Sequence, residues 1–418
     1  MVSDLLYSNW PYQIFQSVFF RGGMAFLSTY WLVIFFMPGM IRAFRARGIT
    51  ADFRPAPQHG FPYSGAKPIM GGALLTVAIT VSVLLWTRPN QFVLALLAIL
   101  VSFALIGAWD DVVKIIHRRR VEEGQAEKKH YTDKADGISG SLRLLLEVVV
   151  ALVVVAGLYR YVAIDGHMVV PGIPLDWWYP YLPKHLFIPF MVFVIVAGAN
   201  AVNLTDGMDS LATVPILTNT LFLAAVAYVG GDADLAARLR VPALDPDLKE
   251  LAVFSAAILA SGLAFLRFNA PPALIIMGDL GALSLGAVLG AMFIFLKVEL
   301  FFPLVGGMMV LTTVSTMIQR SFFKLMLAWK GRETAERVRF FYRAPYHHHL
   351  QALWTWREEP RKIVSVWVEF KKRLGFHPPE VADQLNRAED VNSRVVWRLH
   401  ILSLWLLALS LMVYFKVR

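Results

Sequence analysis

Runs of apolar residues close to the length that crosses a bilayer recur about ten times along this chain, and no other feature narrows its fold as much. They fall near 24–41, 70–86, 92–109, 142–158, 186–201, 211–229, 251–268, 281–296, 300–318 and 396–415. In hydrocarbon no water satisfies backbone N–H and C=O groups, so runs of this length cross as helices. The expectation is an all-α polytopic membrane protein with about ten transmembrane helices, forming a single membrane-embedded domain over residues 1–418. Composition agrees: 57% apolar and 17% charged lies far from the about 45–50% and about 25% of ordinary soluble domains. The chain has no cysteine, which excludes a disulfide framework, a thiolate zinc site, an Fe–S cluster and a cysteine nucleophile. The first twenty residues lack the basic n-region and small-residue cleavage site of a removable signal peptide.

The net charge of +10 would suggest nucleic acid in a soluble protein. Here it follows the positive-inside pattern, because most of the 40 Lys and Arg fall in the loops after the odd-numbered spans, above all after the ninth. The predicted topology therefore has both termini outside and no nucleic-acid partner. Two charged stretches, about 118–136 and 357–394, read as cytoplasmic excursions. The second contains Lys371-Lys372-Arg373 and His377-Pro378-Pro379, which suits a surface helix pair or a partly disordered loop.

The polar clusters that interrupt the apolar pattern all stand at span ends and, by span parity, all on the cytoplasmic side. Asp110 and Asp111 leave the third span, with Lys114 one turn beyond Asp110 on the same helix face. Acids at a span end are cheap compared with the about 2.5–3.5 kcal/mol of an acid at the bilayer centre, so a solvated helix terminus is one reading. The other is a Mg²⁺–phosphate site, since Mg²⁺ takes one or two carboxylates plus substrate phosphates, with Asp279 after Gly278 as a further oxygen ligand. Asn200, Asn203, Thr205, Asp206 and Asp209 crowd one turn, where Gly207 permits close backbone approach. That density of amide and hydroxyl groups suits a nucleotide or a metal's waters; a helix N-cap at Thr205 or Asp206 explains less, because it leaves Asn200 and Asn203 without a purpose. His347, His348 and His349 cannot share one helical face, which predicts a loop, serving either a structural cluster or phosphate contact. No nearby acid at zinc spacing supports a transition metal. Gly71-Gly72, after Lys67, opens the second span, where helix N-terminal amides suit an anion.

Together these residues resemble the polyprenyl-phosphate sugar-1-phosphate transferases, and within them the phospho-N-acetylmuramoyl-pentapeptide transferase branch. The resemblance rests on PxMGG (68–72), GxxDDxxK (107–114), NAVNLTDGxD (200–209), FNxxPA (268–273), MGD (277–279) and PxHHH (345–349). It implies transfer of a phospho-sugar-peptide from UDP-N-acetylmuramoyl-pentapeptide to undecaprenyl phosphate with Mg²⁺, in a bacterial cytoplasmic membrane, by a homodimer. By motif, Asp279 would ligate Mg²⁺, with Asp110 and Asp111 near the metal and the lipid phosphate. Lys114 and one or more of His347, His348 and His349 would neutralise phosphate charge. Asn200, Asn203, Asp206, Asp209, Asn269, Lys67, Gly71 and Gly72 would bind substrate. The sequence departs from the pattern at Lys67 and Ile69, usually threonines; at Thr312 or Thr313, usually an acid; at Arg143, usually lysine; and at Ile276, usually aromatic. It is also altered at 61–64. Two alternatives remain: a UDP-N-acetylhexosamine-1-phosphate transferase, and a transporter or flippase, which would place acids or broken helices near the bilayer midplane.

Overall fold

The computed structural model describes residues 2–51, 67–123, 137–161, 166–174, 178–355, 364–374 and 388–416. Among the described residues the chain is nearly all-α, with fifteen α-helices. A short α1 (Val2–Asn9) precedes α2 (Val18–Ala46), α3 (Gly72–Trp86), α4 (Gln91–Glu122), α5 (Gly140–Tyr161), α6 (Lys184–Thr205) and α7 (Thr213–Gly230). Then come α8 (Ala233–Leu239), α9 (Glu250–Asn269), α10 (Gly278–Phe295), α11 (Phe302–Val305) and α12 (Gly307–Arg337). The chain closes with α13 (Tyr346–Thr355), α14 (Val366–Arg373) and α15 (Ala388–Lys416).

Every expected apolar run falls on helix, yet among the described residues only eight helices are long and apolar enough to cross a membrane, or nine if a bent pair counts as one span. The bent pair is the predicted ninth run, which breaks by 85° between Glu299–Val305 and Gly307–Arg337. The break sits at Gly306-Gly307, where two adjacent glycines make the helix easy to interrupt. The other shortfall is α3, with 15 residues. Its first turn begins only after residues 67–71 have passed beside the loop into α10: Ile276 N donates to Pro68 O, and Gly71 N and Gly72 N donate to Ile276 O and Met277 O, all at 2.9 Å. Conversely, α4 outruns its apolar stretch. It is 32 residues long, about 48 Å at 1.5 Å per residue, and Asn90 caps its start by accepting from Val93 N at 2.9 Å. The predicted excursion at 118–136 thus begins as helix; residues 124–136 lie outside the described residues, as do 356–363 and 375–387 of the second excursion. Within the latter, α14 is a surface helix, preceded by a strand at Val364–Ser365 that pairs in parallel with Val338–Arg339.

At the centre stands α10, buried from Leu280 to Phe295 without interruption, the signature of a helix that is apolar all round. It packs on α3, α4, α6 and α7. Gly286 and Gly290, spaced GxxxG, let α6 come into backbone contact: a Cβ at Gly286 would lie 2.5 Å from Gly198 O and 2.8 Å from Ala199 Cα. Gly286→Ala is therefore expected to cost about 1–3 kcal/mol through overpacking. Gly23→Ala, where nothing lies within 4 Å of an added Cβ, serves as the control and should leave the thermal midpoint in detergent unchanged.

At the far end of the bundle, the starts of α2 and α9 are joined by an ion pair. Arg21 Nη1 and Nη2 donate to Glu250 Oε2 and Oε1 at 2.5 and 2.6 Å, and Oε2 also accepts from Arg88 N at 2.9 Å.

Candidate active site

Asp110 and Lys114 share a face of α4, as their spacing requires, and the Lys114 ammonium lies 2.6 Å from Asp110 Oδ2. The same nitrogen lies 3.0 Å from Asp279 Oδ2, in the first turn of α10. Two carboxylates distant in sequence therefore converge on one cation. Gly107, one turn before Asp110, makes this possible, because a Cβ there would meet Asp279 O at 2.4 Å. Both aspartates of the pair are buried, Asp110 at 2% and Asp111 at 3% exposure. A solvated helix terminus is thus overturned: α4 continues past them, and α10 covers them.

Asp111 faces elsewhere. Its oxygens accept from Asp279 N at 3.4 Å and Leu280 N at 3.2 Å, while Asp206 Oδ2 accepts from Gly278 N at 3.2 Å. The first turn of a helix leaves N–H donors without partners, and α10 has no capping side chain of its own. Asp111 and Asp206 supply the missing acceptors from α4 and from the end of α6. Burial, reinforced by the Asp279 charge, pushes the Asp206 carboxyl well above the usual carboxylate range.

A second cation reaches the same point from α5. Arg143 Nη1 lies 3.1 Å from Asp279 Oδ2 and 3.7 Å from Asp110 Oδ2; its Nε lies 3.5 Å from Glu147 Oε1, and its Nη2 donates to Asn200 Oδ1 at 3.4 Å. Asn200 in turn donates to Glu147 Oε2 at 2.5 Å, and Asn203 donates to Asp279 Oδ2 at 3.4 Å. Sequence reasoning noticed Arg143 only as a departure from a pattern and missed Glu147 altogether. The available signal was an acid inside an apolar helix, which is costly unless partnered.

The remaining sequence-predicted residues form the frame beside this cluster. Lys67 Nζ donates to both oxygens of Asp209 at 3.0 and 2.8 Å, and Asp209 also accepts from Ala273 N at 2.9 Å. Asn269 is buried, accepts from Ser210 N and Thr213 Oγ1 at 3.0 and 3.1 Å, and donates to Ile275 O at 2.9 Å. It clamps the start of α7 and Ser210, just beyond the polar end of α6, to the 270–278 loop; residues 200–205 of the expected turn are the last helical residues of α6. The expectation of an anion at Gly71 and Gly72 meets a different arrangement, since both amides are already engaged by the 276–277 carbonyls.

The histidines open α13 instead of lying in a loop. Successive helical residues are turned about 100° apart, so the three rings diverge. His347 is fully buried against Gly207, where a Cβ would meet Nε2 at 2.5 Å. His348 Nδ1 is 3.1 Å from Gln351 Oε1, and His349 Nδ1 accepts from Tyr342 N at 3.2 Å. Burial lowers all three: His347 well below the ordinary histidine range, His348 less, and His349 to about 4. They are therefore neutral near pH 7 and offer hydrogen bonds, so the positive charge beside Asp110 and Asp279 is that of Lys114 and Arg143. Since His349 titrates lower in the fold than its ordinary 6.5, the fold is stabilised fully above about pH 6.5 and loses that stability as pH falls towards 4, by about 1.4 kcal/mol per pH unit at most. The thermal midpoint should fall less between pH 7 and pH 5 in His349→Asn, which keeps an acceptor but cannot titrate.

Among the described residues no cluster of three or more acids and histidines is arranged as a ready metal cage. The reason lies in the geometry: the Asp110 and Asp279 oxygens turn towards Lys114 and Arg143. The donors nonetheless fit a hard divalent ion, being carboxylate oxygens from two helices that already share one cation. Asp110 and Asp279 would hold such an ion.

Residues 92–297, the stretch from α4 through α10 that supplies most of these side chains, match glycosyl transferase family 4. The chain is also 33% identical, over 365 residues, to the phospho-N-acetylmuramoyl-pentapeptide-transferase of Desulfotalea psychrophila, an alignment that covers 85% of this chain and 91% of that one. With identity at that level across nearly the full length of both proteins, and with the family match spanning the helices that bring Asp110, Lys114 and Asp279 together, the chain belongs to glycosyl transferase family 4, among the phospho-N-acetylmuramoyl-pentapeptide transferases.

Proposed function

We propose that the protein transfers phospho-N-acetylmuramoyl-pentapeptide from its UDP-linked form to undecaprenyl phosphate, forming lipid I and releasing UMP, in a bacterial cytoplasmic membrane. The observation that carries this reading is the meeting of Asp110, Lys114, Arg143 and Asp279 on three helices beside the 200–209 turn. In this topology both termini lie outside and the cluster opens to the cytoplasm, where a soluble nucleotide meets a lipid phosphate at the interface. A homodimer is part of the same proposal.

An oxygen of the lipid phosphate attacks the sugar-linked phosphorus, the bond to UMP breaks, and UMP departs with the electron pair. One phosphoanhydride replaces another, so positioning and charge neutralisation supply the catalysis. A phosphate monoester has a second pKa of about 6 and is largely dianionic at pH 7, so no general base is required; Asp110 orients. Lys114 and Arg143 present fixed positive charge to the phosphates. Asn203 and the framed turn from Asp206 to Asp209 hold the nucleotide, with neutral His347 and His348 as hydrogen-bonding groups. Mg²⁺, when bound by Asp110 and Asp279, would supply further neutralisation of phosphate charge.

Purified protein given UDP-N-acetylmuramoyl-pentapeptide and undecaprenyl phosphate is expected to release UMP in the presence of Mg²⁺ and to stop with a chelator. Release from a UDP-N-acetylhexosamine instead, or release insensitive to chelation, would overturn the substrate or the metal assignment respectively.

A further inference from the structure

One oxygen, Asp279 Oδ2, receives three of the protein's own donors: Lys114 Nζ at 3.0 Å, Arg143 Nη1 at 3.1 Å and Asn203 Nδ2 at 3.4 Å. An oxygen so surrounded has no free direction for a further partner. In the reaction proposed above, a divalent ion that takes Asp279 through Oδ2 must therefore displace one of these donors, and its charge repels the two cationic ones. Lys114 has its shortest contact with Asp110 Oδ2, at 2.6 Å, and its other carboxylate contacts are Asp279 and Asp111, all within the same cluster. Arg143 differs. Its Nε already lies 3.5 Å from Glu147 Oε1 and its Nη2 donates to Asn200, two partners set back from the cluster on α5 and α6. Glu147 is itself fixed, with no exposed surface and with Oε2 held by Asn200 Nδ2 at 2.5 Å. The forked guanidinium suits such a transfer, because it can leave one carboxylate while keeping hold of another.

We propose that Glu147 is a positioning residue that takes up the Arg143 guanidinium when a divalent ion occupies Asp279, so that Glu147 sets metal affinity by acting through Arg143. It touches neither substrate nor metal. The inference rests on the metal-dependent reading of the function, and its test separates the two.

The probe is Mn²⁺, titrated by electron paramagnetic resonance into the full-length protein in detergent, alongside the Mg²⁺ dependence of UMP release. Glu147→Gln keeps the shape of the side chain and removes its charge. Its half-saturating Mn²⁺ concentration is expected to rise about tenfold, the factor corresponding to one decade of binding constant, with the half-maximal Mg²⁺ concentration moving in parallel. In an Arg143→Ala background the same substitution is expected to move Mn²⁺ binding by less than about twofold, the mark of an interaction routed through one partner. Glu147→Asp, which keeps the charge but withdraws the carboxylate by one methylene, is expected to weaken Mn²⁺ binding as well. Equal weakening by Glu147→Gln in both backgrounds would mean that the charge acts through space, and would overturn the proposal. So would a lowered thermal midpoint with unchanged Mn²⁺ affinity, which a purely structural ion pair would give. Wild-type protein that bound no Mn²⁺ would overturn the metal reading itself and this inference with it; wild-type binding left unshifted by Glu147→Gln overturns this inference alone.

Discussion

Asp279→Ala is expected to lower UMP release by about 10³-fold, the scale on which removing one transition-state charge stabiliser acts, while leaving the protein folded. Asp279 is the acid on which Lys114, Arg143 and Asn203 all converge, so its loss removes the point that organises both cations. Its loss is tolerated by the fold, because Lys114 keeps Asp110 at 2.6 Å and Arg143 keeps Glu147 at 3.5 Å, so neither cation is left without a carboxylate. A thermal midpoint held beside collapsed activity is the expected result. Asp111→Ala should do the reverse in kind, because α10 would lose the acceptor that satisfies its second and third N–H groups. A midpoint that fell in Asp279→Ala as much as in Asp111→Ala would reassign Asp279 to a structural role.

Arg21→Met is expected to destabilise the protein by about 3–5 kcal/mol, the cost of leaving one member of a buried ion pair without its partner. Arg21 is 1% exposed and Glu250 6%, so the orphaned carboxylate has little access to water. The same carboxylate also accepts from Arg88 N, which ties the α3–α4 connection to the pair. Arg21→Met/Glu250→Leu should recover most of the loss, since a buried pair replaced by apolar groups of similar volume is often nearly neutral. Thermal unfolding in detergent measures both variants, and a single variant as stable as wild type would show that water reaches Glu250 at this end of the bundle. Because this pair and the Asp110–Asp279 cluster stand at opposite ends of α3 and α9, the two predictions concern independent parts of the molecule.

What could be read along the chain was whatever depends on residues near one another. Apolar length located the helices but not their ends, since α4 and α12 run more than ten residues past their apolar stretches, and the i,i+4 spacing of Asp110 and Lys114 placed them on one face. The turn at 200–209 stood out by polar density alone. Where the reading failed, the deciding partner was distant. Gly71 and Gly72 looked like an anion site because nothing local shows that the 276–277 carbonyls take their amides. The histidines looked like a loop because three rings cannot share a face; each has its own neighbour instead, Gly207, Gln351 and Tyr342.

The sequence alone determined that the chain crosses a membrane repeatedly as helices and that acids, amides, lysine and histidine are its chemistry, because hydrocarbon leaves backbone groups no other way to be satisfied and because there is no cysteine. Only the tertiary structure decided what each acid does. Asp110 and Asp111 are chemically identical neighbours, yet successive helical residues point about 100° apart. One is thereby turned towards Lys114 and the other onto the bare N–H groups of α10. Likewise, Glu147 acquires its place only when α5 and α6 bring Arg143 and Asn200 to it. Charge interacts through space, and the distances that give it sign and strength are set by helix packing.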